Sequence, residues 1–212
     1  MDGENHHGDH PPGLRERKKA ETREALCEAA TRLALNHGIE NVRVPDIAAE
    51  AGVSPRTYNN YFSSVPEAIC AVAADRATAL GDELRKRSPQ EPLADAIRGA
   101  MIANDPGGEV EEAERKEFVR LIMHTPALRG EFFKAVVARE NSLAEAIAER
   151  IGSPPGDLFP RLLASTYCGA NRVVIHRWLN DDNADYRALL REAFDLIAPM
   201  AAARDKATRH AA

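Results

Sequence analysis

The sequence predicts an all-α protein of about nine helices, and three observations carry that prediction. Apolar residues recur at three- and four-residue spacing over long stretches, with no sustained alternation of period two. Alanine, leucine, arginine and glutamate are abundant while aromatic residues make up only 5% of the chain, a balance that favours helix over strand. Glycine, proline and capping residues then cut the pattern into segments of helical length.

Residues 1–13, with Gly, Asp, His and the pair Pro11-Pro12, read as a disordered tail. A first helix is expected over 14–37, with Leu26, Ala30, Leu33 and His37 on one face and Gly38 as its stop. A short second helix follows over 45–51, with Pro45 in its first turn, and ends at Gly52. Ser54-Pro55 is a cap followed by a first-turn proline, so a third helix starts at once and runs to 62. Ser64 and Pro66 open a fourth, to 87, which the prolines of 88–92 break. Helices are then expected over 93–104, 110–124, 125–151, from the capping Asp157 to 180, and over 184–203. The turns between them lie at Asp105 to Gly108, at Gly152 to Gly156 and at Asp181 to Asn183. The domain reading is a tail (1–13), a small helical domain (14–65), a connecting helix and linker (66–90), a larger helical domain (91–205) and a C-terminal tail (206–212).

A chain of 212 residues that is 44% hydrophobic can build a real core in a small domain plus a larger one. Its net charge of −5 means that any nucleic-acid contact must come from a local patch. No apolar run approaches the roughly 18–20 residues that span a bilayer, and the polar start offers no secretory core, so no membrane partner is expected. Cys27, Cys70 and Cys168 are far apart and no CxxC pair exists. A disulfide scaffold or cysteine zinc site is therefore not expected, and a reducing cytoplasm suits the chain.

The informative segment is 44–62, where each small residue has a steric task. Ala48 lets the second helix cross the first closely, and Gly52 can take the positive φ that a three-residue turn needs. Val53 and Ile47 pack under the turn, Ser54 caps the third helix, and Tyr58 and Phe62 anchor it. This helix-turn-helix aims Pro55, Arg56 and Thr57 outward, toward a major groove. Arg56 can donate a bidentate pair to guanine, and the Thr57 methyl can touch thymine. Tyr58, Asn59, Asn60 and Tyr61 offer neutral donors to phosphates or bases. Upstream, Arg15, Arg17, Lys18, Lys19 and Arg23 outnumber Glu16 and Glu21, a basic start on an acidic chain where a backbone-binding element belongs.

From Arg17 to Ile69 the sequence resembles the DNA-binding domain of the TetR family of transcriptional regulators. The matching residues are Thr22-Arg23, Leu26, Ala29-Ala30, Leu33, Gly38, Ile47-Ala48, Ala51-Gly52-Val53-Ser54, Tyr58 and Tyr61-Phe62. The resemblance implies phosphate contacts at Thr22, Arg23, Tyr58 and Tyr61 and base reading by Pro55, Arg56 and Thr57. Two positions depart from the family pattern. Arg43 stands where a capping Thr is usual, and Val65 where a Lys is usual. The first loses a cap of about 1 kcal/mol, and Arg43 can itself reach a phosphate; the second removes a phosphate contact. The opening 13–19 is similar to that of a subgroup with acyl-CoA-like ligands.

Beyond residue 92 the helices carry wide apolar faces, and an all-helical domain of this size suits a cavity. The resemblance implies that such a cavity holds a hydrophobic or acyl-CoA-like effector. Phe118, Ile122, Phe133, Val136 and Val137 are its expected apolar lining, and His124, Glu140, Tyr167, Asn171 and Arg172 its polar candidates. Arg172 interrupts an apolar stripe and can neutralise an anion, pair with a helix neighbour or face solvent. The resemblance also implies that the last two helices dimerise as a four-helix bundle. Leu162, Leu163, Gly169 and Val173 would serve on one helix, and Leu189, Leu190, Phe194 and Ile197 on the other; the alternative is that these stripes complete the monomer core. A two-fold dimer would read a near-palindromic operator, and an effector would shift the helix beginning near Pro66.

Enzyme readings find no support. The one Glu-x-x-His spacing, Glu4 to His7, falls in the tail, and no HExxH, GxGxxG, phosphate-loop or GxSxG motif occurs. No metal or cofactor is expected. A metal sensor through His6, His7 and His10, or a redox sensor through a cysteine, is the rival regulatory reading. An activator would use the same DNA chemistry as a repressor, so the sign of regulation stays open.

Overall fold

The computed structural model describes residues 13–105, 112–154 and 156–210, with side chains through 202. The expected N-terminal tail lies outside these residues except for Gly13, as do His6, His7, His10 and most of the turn after Asp105, whereas 206–210 of the expected C-terminal tail continue the last helix. Among the described residues there are nine α-helices and no strand. They are α1 (Leu14–His37), α2 (Val44–Glu50), α3 (Pro55–Asn59), α4 (Val65–Arg85), α5 (Leu93–Ala103), α6 (Glu112–His124), α7 (Pro126–Ile151), α8 (Leu158–Asn180) and α9 (Tyr186–His210). One 3₁₀ turn, Ile39–Asn41, joins α1 to α2. None of the described helices is long and apolar enough to cross a membrane. The chain forms two compact units, Met1–Ile69 and Cys70–Ala212.

In the first unit α1 buries Leu26, Cys27, Ala29, Ala30 and Ala34. The expected face is therefore turned: Leu33 is only partly buried and His37 is exposed. The small side chains of Cys27, Ala30 and Ala34 are what allow Ile47 and Ala48 of α2, both fully buried, to close in. Gly52 takes a φ of 68°, and the N–H groups of Gly52 and Val53 bond back to Ala49 and Ala48 at 3.1 and 2.8 Å, so the last α2 carbonyls are satisfied within a tight corner. Helix α3 is shorter than expected. After Asn59 the chain tightens, with Asn60 and Tyr61 N–H bonding to Thr57 and Tyr58 carbonyls, because Tyr58 and Phe62 must both turn inward. Helix α4 opens with a reciprocal cap. The Ser64 hydroxyl accepts from Glu67 N–H at 3.2 Å, and the Glu67 carboxylate accepts from Ser63 N–H at 2.8 Å.

The second unit is built on buried residues of α4 (Leu80, Leu84), α5 (Ile97, Met101), α7 (Leu143, Ile147), α8 (Tyr167, Trp178) and α9 (Leu190, Phe194). Helices α4 and α7 touch at Gly81, where an added Cβ would lie 2.6 Å from the Ser142 carbonyl. The Ser142 hydroxyl bridges this contact, donating to Thr78 O at 2.7 Å and accepting from Gly81 N at 3.0 Å. One turn further on, Arg85 holds Glu149 through two bonds of 2.7 Å. Gly152 ends α7 in the left-handed region, with Ser153 N–H returning to Ala148 O at 3.0 Å.

A charged network ties α6 to α8 and α9. Arg115 lies 5.1 Å from the Trp178 ring and 4.0 Å from the Tyr186 ring, and pairs with Asp105 at 2.9 Å. Arg187 approaches the other Asp105 oxygen at 3.6 Å. The Trp178 indole donates to Glu112 at 2.7 Å and the Tyr186 hydroxyl to Asn171 at 2.6 Å. The Lys116 ammonium donates to Asp181 O at 3.1 Å. The Asp105 side chain is only 5% exposed, so removing it strands Arg115 among aromatic rings. Asp105→Ala is expected to cost about 3 kcal/mol, read as a lower urea midpoint at unchanged slope; an unchanged midpoint would count against the network.

Candidate functional site

The segment 54–62 is organised around one buried side chain. Tyr58 is 0% exposed, packs against Phe62 at 5.7 Å between ring centres, and donates its hydroxyl to Ser64 O at 2.9 Å. Burial, reinforced by the Glu67 carboxylate, pushes its pKa up to about 12. Tyr58 thus anchors α3, as its width suggests. Its expected second role, a phosphate contact, is corrected here: the hydroxyl is spent inside the unit on the carbonyl that precedes α4.

With Tyr58 facing in, the other side of α3 faces out. Ser54, Pro55, Arg56, Asn59 and Asn60 are exposed, and Thr57 and Tyr61 are partly so. The Ser54 hydroxyl accepts from Thr57 N–H at 3.1 Å and shares a 2.9 Å bond with the Thr57 hydroxyl. That bond holds the Thr57 side chain over the cap. Arg56 makes no ion pair among the described residues and is available as a donor fork.

The basic start of α1 is exposed at Arg15, Arg17 and Lys18. Thr22 is partly buried and its hydroxyl donates to Lys18 O at 2.8 Å. Arg23 lies over the Phe62 ring at 5.5 Å, which brings the middle of α1 against the end of the α3 segment. Arg43 stands at the N-cap of α2 with no side-chain cap bond, and one guanidinium nitrogen donates to Glu40 O at 3.0 Å. The residues that sequence reasoning passed over are Ser63 and Glu67. Their signal was legible as Ser64-x-x-Glu67 before an apolar run.

The ligand candidates do not converge. Ile122 and Tyr167 are in the core, while Phe133 is 66% exposed and Val137 41% exposed. His124 is exposed, and Phe118 and Val136 are partly buried. Glu140 and Arg172 pair with each other at 3.1 Å across α7 and α8, and Ser165 donates to Glu140 at 3.0 Å. Asn171 is buried and accepts from Tyr186. Tyr167 packs on Phe194 at 5.2 Å, and its hydroxyl is buried without a partner. The dimer candidates also divide. Leu163, Leu190 and Phe194 lie inside the core of the chain and have no surface to offer, which corrects that expectation. Leu189 and Ile197 pack partly against the same core. Leu162 and Val173 are exposed, with Gly169 between them, and the sequence reading missed three further exposed apolar residues, Leu158, Leu196 and Met200.

All three cysteines are buried and none forms a disulfide. Burial pushes the Cys70 and Cys168 thiols up to about 11, away from the thiolate that redox sensing needs.

Comparison with known proteins agrees with this geometry. Residues 26–64 match the family model described as bacterial regulatory proteins, tetR family, and residues 91–202 match the MftR C-terminal domain. The transcriptional regulator TcmR of Streptomyces glaucescens is 32% identical over 199 residues, covering 89% of this chain and 88% of its own. Among solved structures, SmeT of Stenotrophomonas maltophilia in complex with triclosan is 18% identical with a TM-score of 0.60, over 84% of this chain and 90% of that one. Thermus thermophilus FadR in complex with lauroyl-CoA is 20% identical with a TM-score of 0.53, over 82% and 92%. The chain belongs to the TetR family of transcriptional regulators: it is a helix-turn-helix DNA-binding protein with a C-terminal ligand-binding domain, and not an enzyme.

The anchor can be separated from the reading face. Tyr58→Phe keeps the ring and loses the bond to Ser64, and Ser54→Ala loses the α3 cap; each is expected to lower stability by about 1 kcal/mol. Thermal melting of the two variants checks this. Two unchanged melting curves would mean that neither bond holds α3.

Proposed function

We propose that the chain is a ligand-responsive repressor that binds a near-palindromic operator as a homodimer and is released by a small-molecule effector. The observation that carries this reading is the outward face of α3, where Pro55, Arg56, Thr57, Asn59 and Asn60 stand over a buried Tyr58. Arg56 reads guanine and the Thr57 methyl touches thymine, while Asn59, Asn60 and Tyr61 reach neighbouring bases or phosphates. Arg15, Arg17, Lys18, Thr22, Arg23 and Arg43 supply backbone contacts that position the helix in the groove. Such a regulator works in the cytoplasm, on the nucleoid when DNA-bound.

The dimer is proposed on the exposed stripes of α8 and α9. Leu158, Leu162, Gly169 and Val173 recur at spacings of four, seven and four on α8, and Leu196 and Met200 are four apart on α9. Leucine and valine side chains so exposed are stable when a second copy covers them. The effector acts on the second unit, whose interior is apolar, so an apolar effector suits it. Helix α4 is the route of coupling, since it begins one bond from the Tyr58 anchor and its later turns are held by Ser142 and Glu149 of α7. Release is reciprocal: effector weakens operator binding by the factor by which operator weakens effector binding.

Two experiments test this. In a gel shift on the DNA upstream of its own gene, Arg56→Ala is expected to weaken binding about ten- to a hundredfold, the loss of one bidentate base contact; unaltered retention by this variant would sink the α3 assignment. In size-exclusion chromatography the double variant Leu162→Glu, Leu196→Glu is expected to elute as a monomer and lose the shift. A variant that still eluted with the wild-type protein would place the interface elsewhere.

A further inference from the structure

Among the described residues of the second unit, one partly buried cation on α7 has its Nε buried without a hydrogen-bond acceptor. Arg139 lies on α7, one residue before Glu140, which is already paired with Arg172. Arg139 has no carboxylate partner among the described residues. Its Nη2 reaches the thioether of Met101 on α5 at 3.9 Å, and its Nε is buried with no acceptor. Nε and Nη2 form the edge with which a guanidinium grips a carboxylate through two parallel bonds. The same unit uses that edge twice. Arg85 holds Glu149 through Nε and Nη2 at 2.7 Å each, and Arg87 holds Glu91 through the same pair of nitrogens. At Arg139 the edge meets sulfur, a weak acceptor.

Met101, the neighbour of Arg139 on α5, belongs to the buried core of the unit, together with Ile97 and Ala100 of the same helix and Leu143 of α7. The guanidinium is near enough to Cys168 on α8 to oppose the burial that pushes that thiol up to about 11. One turn beyond Met101, Asn104 donates to Arg76 O at 2.9 Å while its own Oδ1 is buried without a donor. A guanidinium whose Nε is buried without an acceptor costs a fold stability, and an apolar side chain of similar length would avoid that cost. Groups kept at such a cost are commonly kept for a ligand.

We propose that Arg139 reads the effector, and that the effector is an apolar molecule bearing one carboxylate, which seats on the Nε and Nη2 edge of Arg139 between α5, α7 and α8. This rests on the reading of the second unit as the effector-binding part. It also moves the anion-reading role from Arg172, which is exposed and already paired, to a neighbour on another helix.

The test uses the full chain, the variant Arg139→Met, and a matched pair of probes, dodecanoate and dodecanol, which share a tail and differ in charge. Binding is read without DNA, from the shift in melting temperature and from the fluorescence of Trp178, the one tryptophan of the chain. The wild-type protein is expected to take up dodecanoate at least about tenfold more tightly than dodecanol, the worth of one well-made charged bond pair. Arg139→Met is expected to melt, unliganded, at or above the wild-type temperature and to lose the preference for the acid. The proposal is overturned if wild type takes up both probes equally or neither. It is equally overturned if the variant keeps the preference, or if the unliganded variant melts several degrees lower, since Arg139 would then be structural. Loss of operator binding in the gel shift counts against the regulatory reading alone, and loss of an Arg139-dependent preference against this assignment alone.

Discussion

A helix of five residues cannot hold its own shape in water, because the cost of nucleating a turn exceeds what so few hydrogen bonds return. Everything the first unit does depends on how α3 is held. Three devices converge on it. The corner at Gly52 sets its direction, the Ser54 hydroxyl closes its first turn, and Tyr58 pins it to the carbonyl of Ser64. Because Ser64 is also the cap of α4, the same residue ends one element and starts the next. The reading face is therefore rigid with respect to the first turn of α4, and a short element can be presented to DNA without loss of register.

The second unit solves the opposite problem. Its helices are long and well packed, and its polar groups must be placed inside without being stranded. Asp105, Arg115 and Arg187 are compensated by one another and by two aromatic faces, and Trp178 and Tyr186 each find an acceptor. A few buried polar atoms of this unit lack a hydrogen-bond partner, among them Asn104 Oδ1 and the Tyr167 hydroxyl, and Arg139 Nε is the one that belongs to a cation, treated differently from Arg85 and Arg87. Close contact between α4 and α7 at Gly81 and Ser142 leaves no slack, so a shift of α7 must be felt by α4.

Most helix boundaries could be read from punctuation. Gly38, Gly52 and Gly152 end α1, α2 and α7 where glycine at positive φ is required, and Ser54-Pro55 begins α3. The 3₁₀ turn at Ile39–Asn41 could not be foreseen, because three residues carry no periodicity. The exposed face of α3 was likewise legible, since Pro55, Arg56 and Thr57 follow a cap at fixed offsets. Tyr58 was legible only in half: its size announced an anchor, but whether its hydroxyl faced a phosphate or a backbone carbonyl depended on where Ser64 came to lie.

The sequence by itself determined the order of elements, the glycine corner and the outward reading face, since each follows from neighbours within a few residues along the chain. Only the tertiary structure decided which apolar faces are spent internally. Leu163 and Leu190 share helices with Leu162 and Leu196, and a rotation of one hundred degrees per residue separates core from surface. Helical spacing tells which residues share a face; it does not tell what covers that face. For the same reason Arg139 could not be distinguished from Glu140 beside it, until the tertiary structure paired Glu140 with Arg172 and left the Arg139 edge against the Met101 sulfur.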